Sequence, residues 1–174
     1  GLRPADYQLL PLLEVPNIFT ALSAGQIDAG VVSPPTNARA KKAGFIELMN
    51  VAKEGPEFVS VAIGTSRTYI RNNEETVRRV VRAYAEGVQT FKTNKSAALK
   101  MIQNQLKVKE PDIAEDTYNQ FREYLEYPPY ISRKGMDAVL ADIVEKDPSA
   151  RTIKADDFLD MRFVAELDKK TGRK

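Results

Sequence analysis

The chain has 174 residues, of which 43% are hydrophobic and 29% are charged, and its formal net charge is +2. This composition supports a core of ordinary size, contains no apolar run long enough to span a membrane, and lacks the basic face that nucleic-acid binding usually requires. Cysteine and histidine are both absent, which excludes disulfides, thiolate nucleophiles, histidine bases and the usual zinc sites, so we expect no enzymatic activity, metal or cofactor.

Apolar runs in the first third of the chain predict β-strands. Runs of this length that are wholly apolar, or that alternate with polar residues, are typical of strands with one or two buried faces. Pro11 interrupts the first run and restricts it to the start or the edge of a sheet. The predicted strands are residues 8–13, 27–32, 46–51 and 58–63.

Two short helices are predicted between these strands. The first opens at Pro16 or Asn17 and ends at Gly25, where glycine takes the left-handed turn without steric cost. The second begins near Thr36, whose hydroxyl suits a cap, and continues to about Ala43. The resulting β-α-β-α-β order predicts a small parallel lobe, and hence an α/β fold class for this part of the chain.

From Asn73 onward nearly the whole chain predicts helix. Asn73 suits an N-cap, and Glu74 and Glu75 follow it in the first turn, where the helix dipole favours negative charge. Apolar residues then recur at helical spacing through several segments. The predicted helices begin near Asn73, Lys95, Pro111, Ser132 and Ala155.

The junction Ser33-Pro34-Pro35-Thr36 is the candidate binding site. In open α/β sheets, ligands bind beyond the carboxyl ends of the strands, where the N-terminus of the next helix offers free N–H donors. We expect the hydroxyls of Ser33 and Thr36 and the N–H groups near Asn37 to contact a ligand. Pro34 and Pro35 donate no hydrogen bond, so we expect them to shape the loop and exclude water.

A second turn is expected to face the same cleft. Glu14 and Asn17 belong to the turn at the corresponding end of the preceding predicted strand. The alternative interpretation is purely structural: Ser33, Thr36 and Asn17 are residue types that also cap helices, and capping would account for them without any ligand.

Several motifs taken together resemble a known family. In combination they resemble the substrate-binding proteins of bacterial ABC importers, of the nitrate/sulfonate/taurine (NMT1/THI5-like) type. The motifs are Ala21-Leu22-x-Ala24-Gly25-x-Ile27-Asp28-Ala29-Gly30, Ser33-Pro34-Pro35, and Lys41-Lys42-Ala43-Gly44-Phe45.

This resemblance implies a domain arrangement. Such proteins have a type II periplasmic-binding-protein-like fold, with two α/β lobes joined by crossover strands and a ligand cleft between the lobes. Because the chain opens at Gly1 inside a helix-to-strand connection, we expect that upstream sequence, including the N-terminal lobe, is missing. The expected parts are a second-lobe α/β portion at 1–58, a crossover strand at 59–65, and mainly helical C-terminal sequence at 66–174 that returns to the first lobe.

The resemblance also implies a function. The expected role is capture of a small anionic or polar organic solute, or an oxyanion, by hinge closure of the two lobes. The expected partners are that small-molecule solute and the permease of an ABC transporter. The expected location is the periplasm, or an extracytoplasmic position with a membrane anchor.

Two alternatives remain open. Thiamine-pyrimidine-synthase-like enzymes share this superfamily but rely on histidine, which this chain lacks. The second alternative is that the chain is a non-binding interaction fragment. The helices at 73–167 would normally cover a sheet of the first lobe, and if that sheet is missing, their apolar faces need another partner. We expect a homo-oligomer in that case, formed by exchange of elements between copies.

Overall fold

The structure is a computed structural model that describes residues 3–171. In these residues all regular secondary structure is helical. Short 3₁₀ helices occur at Pro4–Asp6, Pro148–Thr152 and Ala155–Asp157. The α-helices of the described part are α1 (Val15–Ser23), α2 (Thr36–Lys42), α3 (Val51–Glu54), α4 (Arg67–Asn72), α5 (Glu74–Thr93), α6 (Lys95–Gln105), α7 (Pro111–Tyr124), α8 (Arg133–Lys146) and α9 (Arg162–Thr171).

The predicted α/β class is wrong, since residues 3–171 contain no strand and no parallel sheet. The apolar runs at 27–32 and 58–63 form neither helix nor strand, and only the end of the run at 46–51 enters a helix, α3. Their side chains are largely exposed, as Val31 and Val61 illustrate at 79% and 88%. The physical reason is that a strand needs a backbone partner, and an apolar pattern predicts burial without supplying that partner.

Several helix ends that were predicted from local sequence are confirmed. Helix α1 ends just before Gly25, which has a φ of 65°. Pro111 is the first residue of α7, as predicted. The Ser132 hydroxyl accepts a hydrogen bond from the Gly135 N–H at 3.1 Å and caps α8. Helix starts and stops depend on neighbouring residues, so local sequence predicts them well.

Other helix predictions need correction in detail. Asn73 precedes α5, but its side-chain amide donates to the Tyr69 carbonyl instead of capping α5. Helix α4, just before it, was not among the predicted elements. The last predicted helix, expected from Ala155, is divided into a 3₁₀ turn and α9, with Asp160 in the irregular stretch between them.

The chain forms two compact units. One comprises Gly1–Leu48 with Leu99–Gln120, and the other comprises Met49–Ala98 with Phe121–Lys174. This division does not test the predicted boundaries at 58 and 65, which stay predictions.

In the first unit, α1 packs on α2. The rings of Phe19 and Phe45 meet edge to face, with centroids 6.3 Å apart. Ala21 of α1 and Ala38 of α2 are both buried in this unit. This packing positions the junction between residues 32 and 36 at the start of α2. On α7, Thr117 is completely buried, and its hydroxyl has no hydrogen-bond partner among the described residues.

In the second unit, α9 packs on α5 through Phe163, which is 2% exposed. Phe91 on α5 meets Phe121 edge to face, with centroids 6.4 Å apart. The Lys92 ammonium donates to the Arg122 carbonyl at 3.0 Å and so caps the end of α7. Helix α8 contacts the 3₁₀ turns that follow it.

Each helix among the described residues is too short or too polar to span a lipid bilayer.

Candidate functional site

The backbone of the candidate junction forms a tight turn into α2. The Ser33 carbonyl accepts hydrogen bonds from the Thr36 N–H at 2.8 Å and from the Asn37 N–H at 3.2 Å. The peptide bond between Pro34 and Pro35 is cis. These bonds occupy N–H groups that we expected to be free for a ligand. Helix α2 is also only seven residues long, so its dipole is weak.

The two hydroxyls of the junction differ in accessibility. Ser33 is exposed, and within residues 3–171 its hydroxyl makes no hydrogen bond. Thr36 is 4% exposed, so its side chain belongs largely to the interior of the first unit. Of the predicted donors, the Ser33 hydroxyl is therefore the one that a solute can reach in this structure.

Asn37 connects α2 to α7. Its side-chain amide donates to Gln120 Oε1 at 2.7 Å, and its Oδ1 accepts from the Ala38 N–H at 2.8 Å. Gln120 in turn donates to Asp116 Oδ2 at 2.7 Å. The predicted ligand contact thus serves to position α2. Gln120 was missed by the sequence reasoning, because the two partners are separated by 83 residues and no local pattern links them.

Glu14 and Asn17 form their own turn at the start of α1. The Asn17 N–H donates to the Glu14 carbonyl at 3.0 Å, and the Asn17 side-chain amide donates to the Leu12 carbonyl at 3.0 Å. The Asn17 side chain therefore ties α1 to the turn before it, but it does not cap the helix, whose N-cap residue is Glu14. The Glu14 side chain is exposed and makes no capping bond to α1.

The structure brings the predicted site residues together as two local groups on adjacent helices. Ser33, Thr36 and Asn37 share one turn, and Glu14 and Asn17 share the other. Within the described residues, no hydrogen bond connects the two groups, although α1 and α2 pack against each other. Whether either group contacts a ligand stays a prediction.

A charged surface cleft lies beside the predicted residues. Lys42 and Asp112 pair across it at 2.6 Å, and this ammonium holds the pKa of the Asp112 carboxyl below its ordinary value of 3.8. Lys41 pairs with Glu47. Since these charges are paired within the chain, the cleft is mixed in charge. Its lining is Ala38, Lys41, Lys42, Asp112, Ile113 and Asp116.

Comparison with protein families assigns the N-terminal part of the chain. The family model described as NMT1/THI5 like matches residues 1–98. Comparison with curated proteins and with solved structures finds no match. The matched region is more than half of the chain and contains every predicted site residue. The chain therefore belongs to the NMT1/THI5-like family, which includes ABC solute-binding proteins and thiamine-synthase-like members.

Proposed function

We propose that this chain is part of the solute-binding component of an ABC-type importer. The observation that carries the proposal is the NMT1/THI5-like match over residues 1–98, because it covers both turns that hold the predicted site residues. The finer assignment to the nitrate/sulfonate/taurine type is supported by the motifs around Gly25, Ser33 and Lys41.

Binding is favoured over catalysis by the chemistry of the side chains. The thiamine-pyrimidine-synthase-like alternative relies on histidine, and the sequence has none. The family consists mostly of binding proteins. Solute capture requires only polar contacts and closure around the solute, and serines, amides and carboxylates supply such contacts without a general base.

The proposed solute is small and polar, with an anionic group as the favoured feature. The exposed Ser33 hydroxyl is the first proposed contact, since a hydroxyl donates readily to a carboxylate, sulfonate or nitrate oxygen. Thr36 and the prolines at 34 and 35 would form the wall behind it. The Asn37–Gln120 bond contributes indirectly, because it holds α2 in place relative to that wall.

A ligand screen tests this proposal. Thermal unfolding of the full-length protein is measured with nitrate, alkyl sulfonates, pyrimidines and aromatic acids, because a ligand that binds only the folded state raises the Tm. We expect at least one of these solutes to raise the Tm in proportion to the logarithm of its concentration. A broad screen without any shift would contradict the proposal.

Matched serine variants then locate the site. Ser33→Ala removes the exposed hydroxyl, and we expect calorimetric titration to show weaker binding of the solute identified by the screen. Ser23→Ala is the control, because the Ser23 hydroxyl is bonded to the Phe19 carbonyl of its own helix. Equal solute affinities of the two variants would show that the Ser33 hydroxyl does not contact the solute. Recovery of the solute chemically unchanged would support binding, and its conversion would support the enzyme alternative.

The proposed location is outside the cytoplasmic membrane, in the periplasm or on an anchor, with an ABC permease as the partner. Support comes from the family, whose members are typically extracytoplasmic. Fractionation of cells that express the full-length protein tests this part: we expect it outside the cytoplasm, and recovery in the cytoplasm would contradict the importer role.

A further inference from the structure

Gly30 packs directly against the first turn of α1, three residues before Ser33. A Cβ atom built on Gly30 would overlap with Ile18 Cγ2, and it would also lie 3.5 Å from Leu22 Cδ1. Isoleucine is branched at Cβ and has few alternative rotamers, so this methyl group cannot easily move aside. The backbone therefore lies at this place because residue 30 has no side chain.

The contact with Ile18 fixes a segment that lacks hydrogen bonds of its own. Residues 27–32 form neither helix nor strand, and within residues 3–171 their backbone makes no hydrogen bond. Packing must therefore determine where this segment lies. Since three residues span at most about 11 Å, the placement of Gly30 on Ile18 also limits the position of Ser33 relative to α1.

The other side of the junction is fixed by α7. The Asn37 side-chain amide donates to Gln120 Oε1, and the Gln120 amide donates to Asp116 Oδ2, each at 2.7 Å. Gln120 thus uses both ends of its amide group, one as acceptor and one as donor, which fixes its orientation. These bonds are partly buried, so the start of α2 cannot shift without breaking them.

We propose that Gly30 and Gln120 are positioning residues that hold the Ser33 hydroxyl in place for the solute, an inference that rests on the solute-binding function proposed above. Ser33 lies between the two fixed points, and its exposed hydroxyl has no hydrogen bond in the described part of the chain. A loop that is already held in its bound conformation loses less conformational entropy when a solute binds. Neither positioning residue needs to touch the solute.

Gly30→Ala tests the contact with α1. Gly30 does not have a positive φ, so alanine adds volume at this position without backbone strain. The probe is whichever of nitrate, an alkyl sulfonate, a pyrimidine or an aromatic acid raises the Tm of the full-length protein most. We expect calorimetric titration with this probe to give a dissociation constant about tenfold higher for Gly30→Ala.

Two further variants show whether that loss comes from the contact. Ile18→Ala removes Cγ2, so Gly30→Ala should weaken binding much less in the Ile18→Ala background, and this double-mutant cycle isolates the contact between the two residues. Gly87→Ala is the matched glycine control, because its added Cβ meets no atom within 4 Å. It should leave the affinity for the probe unchanged.

Gln120→Glu tests the contact with α7. It places a second carboxylate beside Asp116, and the repulsion between like charges should displace the side chain from Asn37. We expect the affinity for the probe to fall about tenfold. Adding Asp116→Asn restores both the net charge and a donor at residue 116, so the double variant should regain the affinity.

Arg78→Ala separates positioning from general stability. Arg78 lies in the second unit, where it pairs with Glu74, Glu75 and Glu166. Its replacement should lower the Tm and leave the affinity unchanged when binding is measured well below the Tm. If Gly30→Ala and Gln120→Glu likewise lower only the Tm, their role is structural and the proposal is overturned.

A spin label at Ser33→Cys measures the position of the loop without any solute, since the chain has no cysteine of its own. We expect Gly30→Ala and Gln120→Glu to make the label more mobile, whereas Arg78→Ala should not. Unchanged mobility or unchanged affinity in either variant would overturn the role of the residue that it replaces. Failure of the unmodified protein to bind any probe would overturn the proposed function and the positioning role with it, and the label distinguishes the two failures because it requires no solute.

Discussion

Arg78 makes several charged and aromatic interactions in the second unit. Its guanidinium bonds to Glu74, Glu75 and Glu166, each at 2.8 Å, and lies over the Phe163 ring at 5.6 Å from the centroid. The pKa of Arg78 is raised above its ordinary value, mainly by the hydrogen bond to Glu166. The Arg78 guanidinium in turn lowers the pKa of Glu75. One side chain therefore joins the first turn of α5 to α9.

Replacing Arg78 should destabilise the protein much more than replacing its neighbour. Arg78→Ala removes all three ion pairs and the stacking on the ring, so we expect the Tm to fall by several degrees. Arg79→Ala is the control, because Arg79 is 71% exposed and makes one 3.5 Å pair with Glu75, and exposed pairs contribute little. Calorimetric Tm values check both, and equal decreases would contradict the role of Arg78.

The Lys42–Asp112 pair makes a contribution that depends on pH. Because the pKa of Asp112 is lower in the folded protein than its ordinary value of 3.8, the pair stabilises the fold above that value and loses its effect as the pH falls through the folded pKa. Lys42→Met should therefore lower the urea midpoint at neutral pH, with a difference from the unmodified chain that shrinks below pH 3.8 and disappears once the pH has fallen through the lower, folded pKa of Asp112. Both side chains are more than half exposed, so we expect a small effect that added salt reduces.

Lys100→Met provides the control for that experiment. Lys100 is exposed on α6 and forms no ion pair among the described residues. Its replacement should change the midpoint equally at neutral and acidic pH. A difference between Lys42→Met and the unmodified chain that persists in acid would show that packing, and not charge, explains the effect.

At the scale of the elements, two glycines within helices should respond differently to alanine. Alanine removes the backbone entropy cost of glycine in a helix, about 0.5–1 kcal/mol. At Gly87 of α5 an added Cβ meets no atom within 4 Å, so Gly87→Ala should stabilise by about that amount. At Gly135 of α8 the Cβ lies 3.2 Å from Val59 Cγ2, so Gly135→Ala should gain less. Urea unfolding measures the free energy of unfolding of both variants. An equal gain would show that the chain around Val59 moves away from the added methyl group at little cost.

The helices were predictable from sequence because their determinants are local. The glycine at 25, the proline at 111 and the serine at 132 each mark a helix end through its own backbone or side-chain chemistry. The strands were not predictable, because the runs at 27–32 and 58–63 need distant backbone partners that the pattern does not specify. In this chain they form no sheet, and the α/β class predicted from them is wrong.

The candidate site stays a prediction, and local sequence did not indicate the structural roles that its residues have. The turn from Ser33 to Thr36 forms directly before α2, as predicted. Its N–H groups are already bonded to the Ser33 carbonyl, however, and Asn37 is bonded to Gln120. The second bond joins helices separated widely along the chain, so no local pattern indicates it.

At the scale of the whole molecule, stability should depend on the docking of α9. Phe163 is 2% exposed, and truncating a buried phenylalanine costs about 3–5 kcal/mol. Proteins of this size are stable by about 5–15 kcal/mol in total. Phe163→Ala should therefore remove a large fraction of the free energy of unfolding. Phe158→Ala, at a ring that is 62% exposed, should change it by less than about 1 kcal/mol, and similar losses would contradict the docking role.

The buried hydroxyl of Thr117 offers a route to a more robust protein for crystallisation. Its oxygen is buried and has no hydrogen-bond partner among the described residues, and an orphaned polar atom of this kind costs about 1–3 kcal/mol. Valine has nearly the same shape and lacks the oxygen, so Thr117→Val should raise the Tm, whereas Thr117→Ser, which keeps the oxygen and deletes the methyl group, should lower it. Replacing this one hydroxyl with a methyl group would thus give a more stable protein for crystal growth.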